Sequence, residues 1–415
     1  MKQIFLKFKF DIALIVIALL WLYVFDFLFQ ISTQSIGCPD CNSYLSAAKN
    51  LYQLHIGNQY RPMGIAAING FPLLFGFSDD AVFAFGYYVN IGCWIGTTLV
   101  IFELSKTYLK PKIAFLVALV LIFFIGNTTL VFQLMSETVF MFAIAVVFYF
   151  LFKYFKNNNF SSLAIALSIM IFAMLIKPGA LFLAIIVSLF FVKVLIRNYG
   201  SRWMALVYGA VLLVMVQCAG IKYQFGNFTI SYIDGLTYYN YLGSKAKCMK
   251  EDEIFNQQNN PYGMPHFSAL PSEQKKIAVE DLKFQLQTNT VNLARAYADD
   301  VYGNTTSGSS YVLECENKWN TTYFETSKFV FYSASQWQNI FFTIIGFLLS
   351  IWYFFKGNQQ FRLIAIFVIY TIVSSGISCD QGDRFHVITF PFVLLLIAKF
   401  LVENFFKRHA ARLQT

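Results

Sequence analysis

Charged residues are scarce in this chain. Only 13% of its 415 residues are Asp, Glu, Lys or Arg, whereas 57% are hydrophobic and 19% are aromatic. Soluble domains have roughly 25% charged and about 45–50% apolar residues. This composition excludes a soluble enzyme, a disordered chain and a disulfide-rich mini-protein. The apolar excess, with a mean hydropathy of +0.56, predicts a polytopic membrane protein in a lipid bilayer.

Several nucleotide-binding and hydrolase motifs are also missing. The sequence has no Walker loop, GxGxxG fingerprint, HExxH or GxSxG. ATP hydrolysis, nicotinamide chemistry and zinc proteolysis therefore have no sequence support. The net charge is +9, but no Lys/Arg-rich recognition helix or zinc-finger spacing is present, so we expect no nucleic-acid partner. No carboxylate cluster demands a divalent metal, and we expect none.

Ten apolar runs predict an all-α protein with about ten transmembrane helices. The runs are 12–31, 81–104, 113–125, 130–152, 163–176, 179–196, 203–221, 338–355, 363–378 and 387–405. A Gly126-Asn127 turn is expected between the third and fourth runs. Lysine and arginine concentrate in alternate short connections, and the opposite set holds only Lys177 and Arg384. By the positive-inside rule, both termini are expected in the cytoplasm.

This orientation divides the chain into three parts. An N-terminal membrane module, 1–221, includes a first outer loop at 32–80. A C-terminal membrane module covers 336–415. Between them, the polar segment 222–335 is expected outside the membrane as a small cap. Helical spacing of Leu282 and Leu286, and of Leu293, Tyr297 and Val301, favours helices there.

Four of the five cysteines on the predicted outer side suggest disulfides. Cys38 and Cys41 are close enough in sequence to close a small ring, and Cys248 with Cys315 would staple the cap. Free thiols, a redox dithiol and a metal site are the alternatives. A redox dithiol needs a thioredoxin-like βαβ context, which is absent, and a zinc site needs a second ligand pair at fitting spacing.

Asp40 is the first candidate for chemistry. It follows the first span and precedes a predicted amphipathic helix, 43–52, in which Tyr44, Ala48 and Leu51 share a face. A carboxylate at the membrane surface is partly desolvated, which raises its pKa toward the range of a general base. The alternative is that Asp40 caps the N-terminus of this helix.

Three further charged residues stand on the predicted outer side. Glu137 lies near the outer end of the fourth span, where it either faces a site or is hydrated at the interface. Lys177 and Arg384 lie on the outer side, where the positive-inside rule disfavours basic residues. Their position favours binding of an anion such as a lipid phosphate. The alternatives are snorkelling to headgroups or a salt bridge, for Arg384 with Asp380 or Asp383.

Four local segments together resemble the GT-C superfamily of integral membrane glycosyltransferases. They are PDCNSYLSAAKNLY with YRPMG, MSETVFMFAIAVVFYFLFKY, LIKPGALF and DRFHVITFPFVLLLIA. The last is similar to the family's final R-Y-…-P helix, with Phe385 in place of tyrosine. The resemblance covers most of 1–200 and 335–405. The segment 222–335 matches no known pattern.

The resemblance implies an inverting glycosyltransferase that uses a polyprenyl-phosphate sugar and acts on the outer side of the membrane. Asp40 would be the general base, and Lys177, Arg384 and Arg61 would bind the donor phosphate. The substrate pocket would include Glu137, Tyr44, Tyr60 and His386, although a lone histidine is more often structural.

The size and the Phe-, Ile- and Asn-rich composition of the chain are similar to those of bacterial glycosyltransferases that modify O-antigen or other surface glycans. This implies a bacterial inner-membrane protein, a glycan or glycolipid acceptor in lipopolysaccharide assembly, and a flippase and a donor synthase as partners. The alternatives are an O-antigen polymerase or ligase, a lipid or glycan transporter, and a scaffold. A polymerase would favour several outer arginines, and 222–335 holds only Arg295. A transporter would favour matched halves, which are absent.

Overall fold

The computed structural model describes residues 8–31, 38, 40–257, 259–379 and 381–406, and within these ranges it contains helices and no strands. Residues 1–7 and 407–415, on which part of the predicted orientation rests, lie outside them. The first eleven helices are α1 Lys9–Phe29, α2 Cys41–Tyr52, α3 Met63–Asn69, α4 Asp79–Lys106, α5 Pro111–Ile122, α6 Ile125–Val131, α7 Glu137–Asn157, α8 Phe160–Phe172, α9 Ala180–Phe190, α10 Val192–Arg197 and α11 Met204–Phe225.

The remaining helices form the cap and the C-terminal part of the membrane domain. They are α12 Ile233–Thr237, α13 Ser244–Lys250, α14 Met264–Phe267, α15 Pro271–Thr288, α16 Thr290–Thr306, α17 Ser310–Leu313, α18 Phe324–Lys356, α19 Gln359–Ser374 and α20 Phe390–Leu401. Short 3₁₀ turns at Phe71–Phe75, Ala173–Leu175, Ser375–Ile377, Gly382–Phe385 and Val387–Thr389, and π-helical turns at Tyr238–Gly243 and Val402–Phe406, complete the path.

The helices confirm an all-α polytopic membrane protein. Among the residues that the structure covers, seven helical segments are long and apolar enough to cross a bilayer, and α5 with α6 makes an eighth if the bent pair is one span. The remaining two predicted runs correspond to the shorter apolar helices Phe160–Leu175 and Ala180–Phe190. Each predicted run thus has a helical counterpart, but three of the ten are not single full-length helices.

The predicted turn at Gly126-Asn127 is wrong. These residues lie inside α6, and the chain bends instead between α5 and α6, by 64°. A Cβ on Gly126 would lie 2.3 Å from Asp383 Oδ2 and 2.4 Å from a Val387 methyl. Glycine therefore lets α6 pack directly on the segment before α20. The chain then leaves helical geometry, and α7 begins at Glu137 rather than near residue 130.

The membrane domain is held together by one large apolar core. Aromatic rings from different helices meet in it: Phe392 of α20 lies 5.1 Å from Phe148 of α7 and 5.0 Å from Phe367 of α19, measured between ring centroids. Because lipid is as apolar as these side chains, close packing rather than water exclusion stabilises such contacts. This packing fixes the ends of α7 and α20, where the charged residues lie.

The cap occupies the chain between α11 and α18. It has its own small apolar cluster, which includes Leu242, Ala278 and Leu293. Helix α16 attaches it to the membrane domain: Tyr297 Oη donates to the Val373 carbonyl at 2.6 Å. The amide of Asn304 also donates to the carbonyls of Ser375 and Ser378, just after α19.

The two predicted disulfides have different outcomes. Cys38 and Cys41 are bonded, which closes a ring around Asp40. Cys248 and Cys315 are both buried free thiols, so the predicted staple is wrong. The physical reason is their packing: Cys248 lies on α13, whereas the side chain of Cys315, although it also belongs to the cap by sequence, packs into the large apolar core of the membrane domain.

Candidate functional site

Arg384 joins two carboxylates that are far apart in sequence. Its Nε donates to Glu137 Oε1 at 2.6 Å, and its Nη1 donates to Asp40 Oδ2 at 2.5 Å. The side chain of Arg384 is 13% exposed. A planar guanidinium can hold two acceptors at once in a fixed geometry, which a lysine cannot do.

Glu137 is buried at the first residue of α7, and its side chain is 1% exposed. The same Oε1 that accepts from Arg384 also accepts from Lys177 Nζ at 2.9 Å. The hydroxyl of Ser136 donates to the other oxygen at 3.2 Å. Glu137 is therefore an internal anchor for two cations, and the interfacial, hydrated alternative is wrong.

Asp40 does not act as a helix cap. It precedes α2, but its side chain makes no capping hydrogen bond. Its Oδ1 accepts from Arg61 Nη2 at 2.8 Å, while Oδ2 accepts from Arg384. Arg61 also donates to Ser43 Oγ at 2.9 Å, and its guanidinium lies 4.3 Å from the centre of the Tyr44 ring. Asp40 is 37% exposed, so it is the accessible carboxylate of the pair.

The pKa of Asp40 differs from the sequence expectation. Burial raises the pKa of this carboxyl, but the guanidinium groups of Arg384 and Arg61 outweigh burial and hold the pKa below its ordinary value. The expected upward shift considered desolvation without the two arginines. Asp40 is therefore ionised at neutral pH in this state.

Five parts of the chain converge on this cluster, which we call the ion cluster: Asp40, Arg61, Glu137, Lys177 and Arg384. Arg61 precedes α3, Lys177 links α8 to α9, and Arg384 lies in the 3₁₀ turn before α20. A close approach brings α3 to the end of α8, because a Cβ on Gly64 would lie 2.6 Å from the Leu175 carbonyl. With three cations and two carboxylates, the cluster is one positive charge in excess and suits an anionic ligand.

The suggested salt bridge of Arg384 with Asp383 is wrong. Asp383 is buried and forms no ion pair with Arg384; one of its carboxylate oxygens faces Gly126. Asp380 lies outside the residues that the structure describes. The partners of Arg384 come instead from α7 and from the residue before α2.

Two predicted pocket residues lie elsewhere. His386 is fully buried, with Nδ1 3.1 Å from Thr343 Oγ1 and Nε2 3.0 Å from Ser375 Oγ, so it links three helical segments and does not line the site. Tyr60 is half-buried, and its carbonyl accepts from Ser231 Oγ of the cap at 2.7 Å. Burial raises the pKa of Tyr60. Both departures arise because neighbours in sequence need not point to the same side.

Tyr44 does belong to the site. Its hydroxyl lies 2.9 Å from Ser136 Oγ and accepts from Arg61 Nη1 at 3.3 Å. Since Ser136 also bonds to Glu137, Tyr44 connects the Asp40 side of the cluster with the Glu137 side. Of the predicted pocket residues, Tyr44 and Glu137 therefore lie together, whereas Tyr60 and His386 do not.

The cap contributes two tyrosines that the sequence did not indicate. Tyr311 of α17 is buried, and its hydroxyl donates to Met135 Sδ at 3.4 Å. Burial raises the pKa of Tyr311, with smaller effects from Arg384, which lowers it, and Glu137, which raises it. Burial also raises the pKa of Tyr241 in the Tyr238–Gly243 turn, and Asp40 adds to this shift. No local sequence pattern could have revealed these tyrosines, because only the tertiary fold brings them near Asp40 and Arg384.

Comparisons with known proteins give one structural likeness. No family model matches the sequence, and no curated protein matches it. Among solved structures, the fold is similar to the archaeal oligosaccharyltransferase AglB from Archaeoglobus fulgidus, determined in complex with an inhibitory peptide and a dolichol-phosphate. The identity is 14% and the TM-score 0.45, over 99% of this chain and 52% of that one. The chain thus spans about half the length of that structure.

Proposed function

We propose that this chain is a membrane glycosyltransferase that moves a sugar from a polyprenyl-phosphate donor to a glycan or lipid acceptor on the outer side of the membrane. The observation that carries the proposal is the ion cluster. It places an accessible carboxylate, Asp40, within hydrogen-bond distance of two arginines, and a third cation, Lys177, shares an anchor with one of them. A base beside a group of cations is what transfer from a phosphate leaving group requires.

The cations serve the leaving group. When the bond between the sugar and the phosphate breaks, the phosphate gains negative charge, and preorganised cations stabilise that charge. Arg384 and Lys177 are preorganised because the buried Glu137 holds both. The departing phosphate is already an anion, so no general acid is needed. We propose that the three side-chain cations stabilise this charge without a divalent metal.

Asp40 serves the acceptor. Of the two carboxylates it is the more exposed, 37% against 1% for Glu137, and it is ionised at neutral pH. It would accept the proton of the acceptor hydroxyl as that oxygen attacks the sugar. Glu137 is held by two cations and a hydroxyl, so among the described residues of the ion cluster no second carboxylate is free to act as nucleophile. We therefore propose a single displacement, which inverts the anomeric carbon.

For the finer assignment, we propose a hexosyl or pentosyl transferase that modifies O-antigen or another surface glycan in the bacterial inner membrane. A synthase would load the polyprenyl phosphate in the cytoplasm, and a flippase would present it on the outer side. These steps are needed because both the donor and the acceptor must meet the ion cluster on one face. The sequence resemblance supports this part of the proposal.

The test is mass spectrometry of surface glycans and lipid-linked sugars from four strains: a deletion, wild type, Asp40→Asn and Asp79→Asn. Asp79 is the matched control, since it also pairs with a cation, Lys49 at 2.6 Å, and is 45% exposed. We expect a sugar-sized mass difference in wild type and Asp79→Asn that is lost in the deletion and in Asp40→Asn. Normal glycans in Asp40→Asn would remove the base assignment and favour a transporter or a polymerase.

A further inference from the structure

Every cation of the ion cluster is already paired with a carboxylate of the protein. Arg61 pairs with Asp40, Lys177 pairs with Glu137, and Arg384 pairs with both. A phosphate that binds here therefore competes with at least one of these carboxylates. The question is which of the two gives way.

The two carboxylates differ in how firmly they are held. Glu137 is buried, and its two oxygens accept from Lys177, Arg384 and Ser136. Removing it from these partners would leave a buried charge uncompensated, which is costly. Asp40 is 37% exposed, so water can replace its lost partners at much lower cost.

Arg384 divides its donors in the same way. Its Nε faces the buried Glu137, while Nη1, at the far end of the guanidinium, faces the exposed Asp40. One end of the fork can stay fixed while the other changes its acceptor. The Cys38–Cys41 disulfide and the start of α2 flank Asp40 and restrain its backbone. The exposed carboxylate of Asp40 is therefore the part that turns away, while Arg384 stays on Glu137.

We infer that the donor phosphate takes the place of Asp40 on Arg384 and Arg61, so that binding of the donor releases the general base. Glu137 is the positioning residue that keeps Arg384 and Lys177 in place. This inference rests on the proposed function and adds an order of events to it. In the free state the guanidinium groups hold Asp40 as a weak base. A bound phosphate neutralises them, and Asp40 regains its affinity for a proton.

The reaction then balances without another reactant. The acceptor oxygen forms a bond to the anomeric carbon of the sugar and gives its proton to Asp40. The bond between that carbon and the phosphate oxygen breaks, and its electron pair stays on the phosphate, next to Arg384 and Lys177. Because Asp40 is engaged until the phosphate arrives, an acceptor is not deprotonated in the absence of donor.

Binding measurements on the purified full chain test the inference without relying on turnover. The probes are farnesyl phosphate, farnesol as the uncharged control, and inorganic phosphate, in a maltoside detergent that contains no phosphate. Farnesol separates chain binding from headgroup binding, and inorganic phosphate shows whether the anion binds without a lipid. The variants are Asp40→Asn, Glu137→Gln and the control Asp79→Asn.

If the phosphate displaces Asp40, Asp40→Asn should bind farnesyl phosphate about tenfold more tightly than wild type, since it no longer competes. Glu137→Gln should bind it about tenfold more weakly, because Arg384 and Lys177 lose their anchor. A general effect of removing negative charge would tighten binding in both variants, and that result would overturn the inference. Unchanged or weaker binding in Asp40→Asn would overturn it as well. Farnesol binding and Asp79→Asn should not change.

A second measurement uses the wild-type protein and does not depend on the folding of a variant. A water-soluble carbodiimide modifies carboxyl groups through their protonated form, and peptide mass spectrometry locates the label. Farnesyl phosphate should increase the labelling of Asp40 about threefold or more, as release from two arginines raises its proton affinity. The labelling of Asp79 should stay constant. Equal or reduced labelling of Asp40 would refute the release of the base.

These outcomes are separate from a failure of the proposed function. If wild type binds farnesyl phosphate no better than farnesol, the ion cluster is not a phosphate site, and both proposals fall. If wild type prefers farnesyl phosphate, but Asp40→Asn does not bind it more tightly and the labelling of Asp40 does not rise, the phosphate site stands and the displacement of Asp40 is refuted.

Discussion

Replacing Glu137 with glutamine tests whether the ion cluster is held from inside. The carboxylate is 1% exposed, and it pairs with Lys177 at 2.9 Å and with Arg384 at 2.6 Å. Breaking a buried ion pair by removing one partner costs about 3–5 kcal/mol. The cations left behind are 19% and 13% exposed, so partial hydration favours the lower end, about 3 kcal/mol. For a chain of 415 residues, this corresponds to a fall in unfolding temperature of about 3–4 °C.

The assay is thermal unfolding in detergent, followed with a dye that becomes fluorescent on reaction with thiols. The buried thiols of Cys218, Cys248 and Cys315 become reactive only as the structure opens. The matched control is Glu103→Gln, which breaks the surface pair with Lys106. That side chain is 42% exposed, and such a pair contributes about 0–1 kcal/mol.

Equal shifts of the unfolding temperature in Glu137→Gln and Glu103→Gln, measured at one scan rate, would contradict an anchoring role for Glu137. A double-mutant cycle refines the test. Lys177→Gln in the Glu137→Gln background should cost less than Lys177→Gln alone, with a coupling energy of about 1.5 kcal/mol or more. Additive effects would mean that the observed contact contributes no coupling.

Three other perturbations give further expectations. Cys38→Ser or Cys41→Ser should lower transferase activity about tenfold in oxidising medium, because loss of the ring misplaces the catalytic Asp40. The activity of wild type treated with a reductant should fall to the same level. Full activity in the serine variants and in reduced wild type would contradict a role for the ring. Gly126→Ala puts a methyl 2.3 Å from a buried carboxylate oxygen and should cost about 1–3 kcal/mol in unfolding assays, unlike Gly92→Ala, which meets open space. Burial lowers the pKa of His266, so below the ordinary histidine pKa of about 6.5 the unfolded chain binds more protons than the folded one. Stability should therefore fall as pH drops from about 7 toward 5, and His266→Phe should flatten this dependence; an equal slope in both proteins would argue against it.

Local sequence determined the helical membrane architecture. Lipid forces the backbone to satisfy its own hydrogen bonds, so an apolar run of sufficient length becomes a helix whatever surrounds it. Each of the ten runs accordingly has a helical counterpart. The sequence also singled out Lys177 and Arg384, because the positive-inside rule disfavours cations on the outer side and such a cation needs a partner. Both have a partner in Glu137.

Only the tertiary structure decided which groups meet. Arg384 is 247 residues from Glu137 and 344 from Asp40, and no pattern along the chain encodes such contacts. Helical spacing fixes which residues share a face, but helix packing decides what that face contacts. For this reason Asp40 pairs with arginines instead of capping α2, and His386 turns into the core. For the same reason Cys315 packs in the large apolar core and does not bond to Cys248 of α13, and the cap brings Tyr311 near the ion cluster.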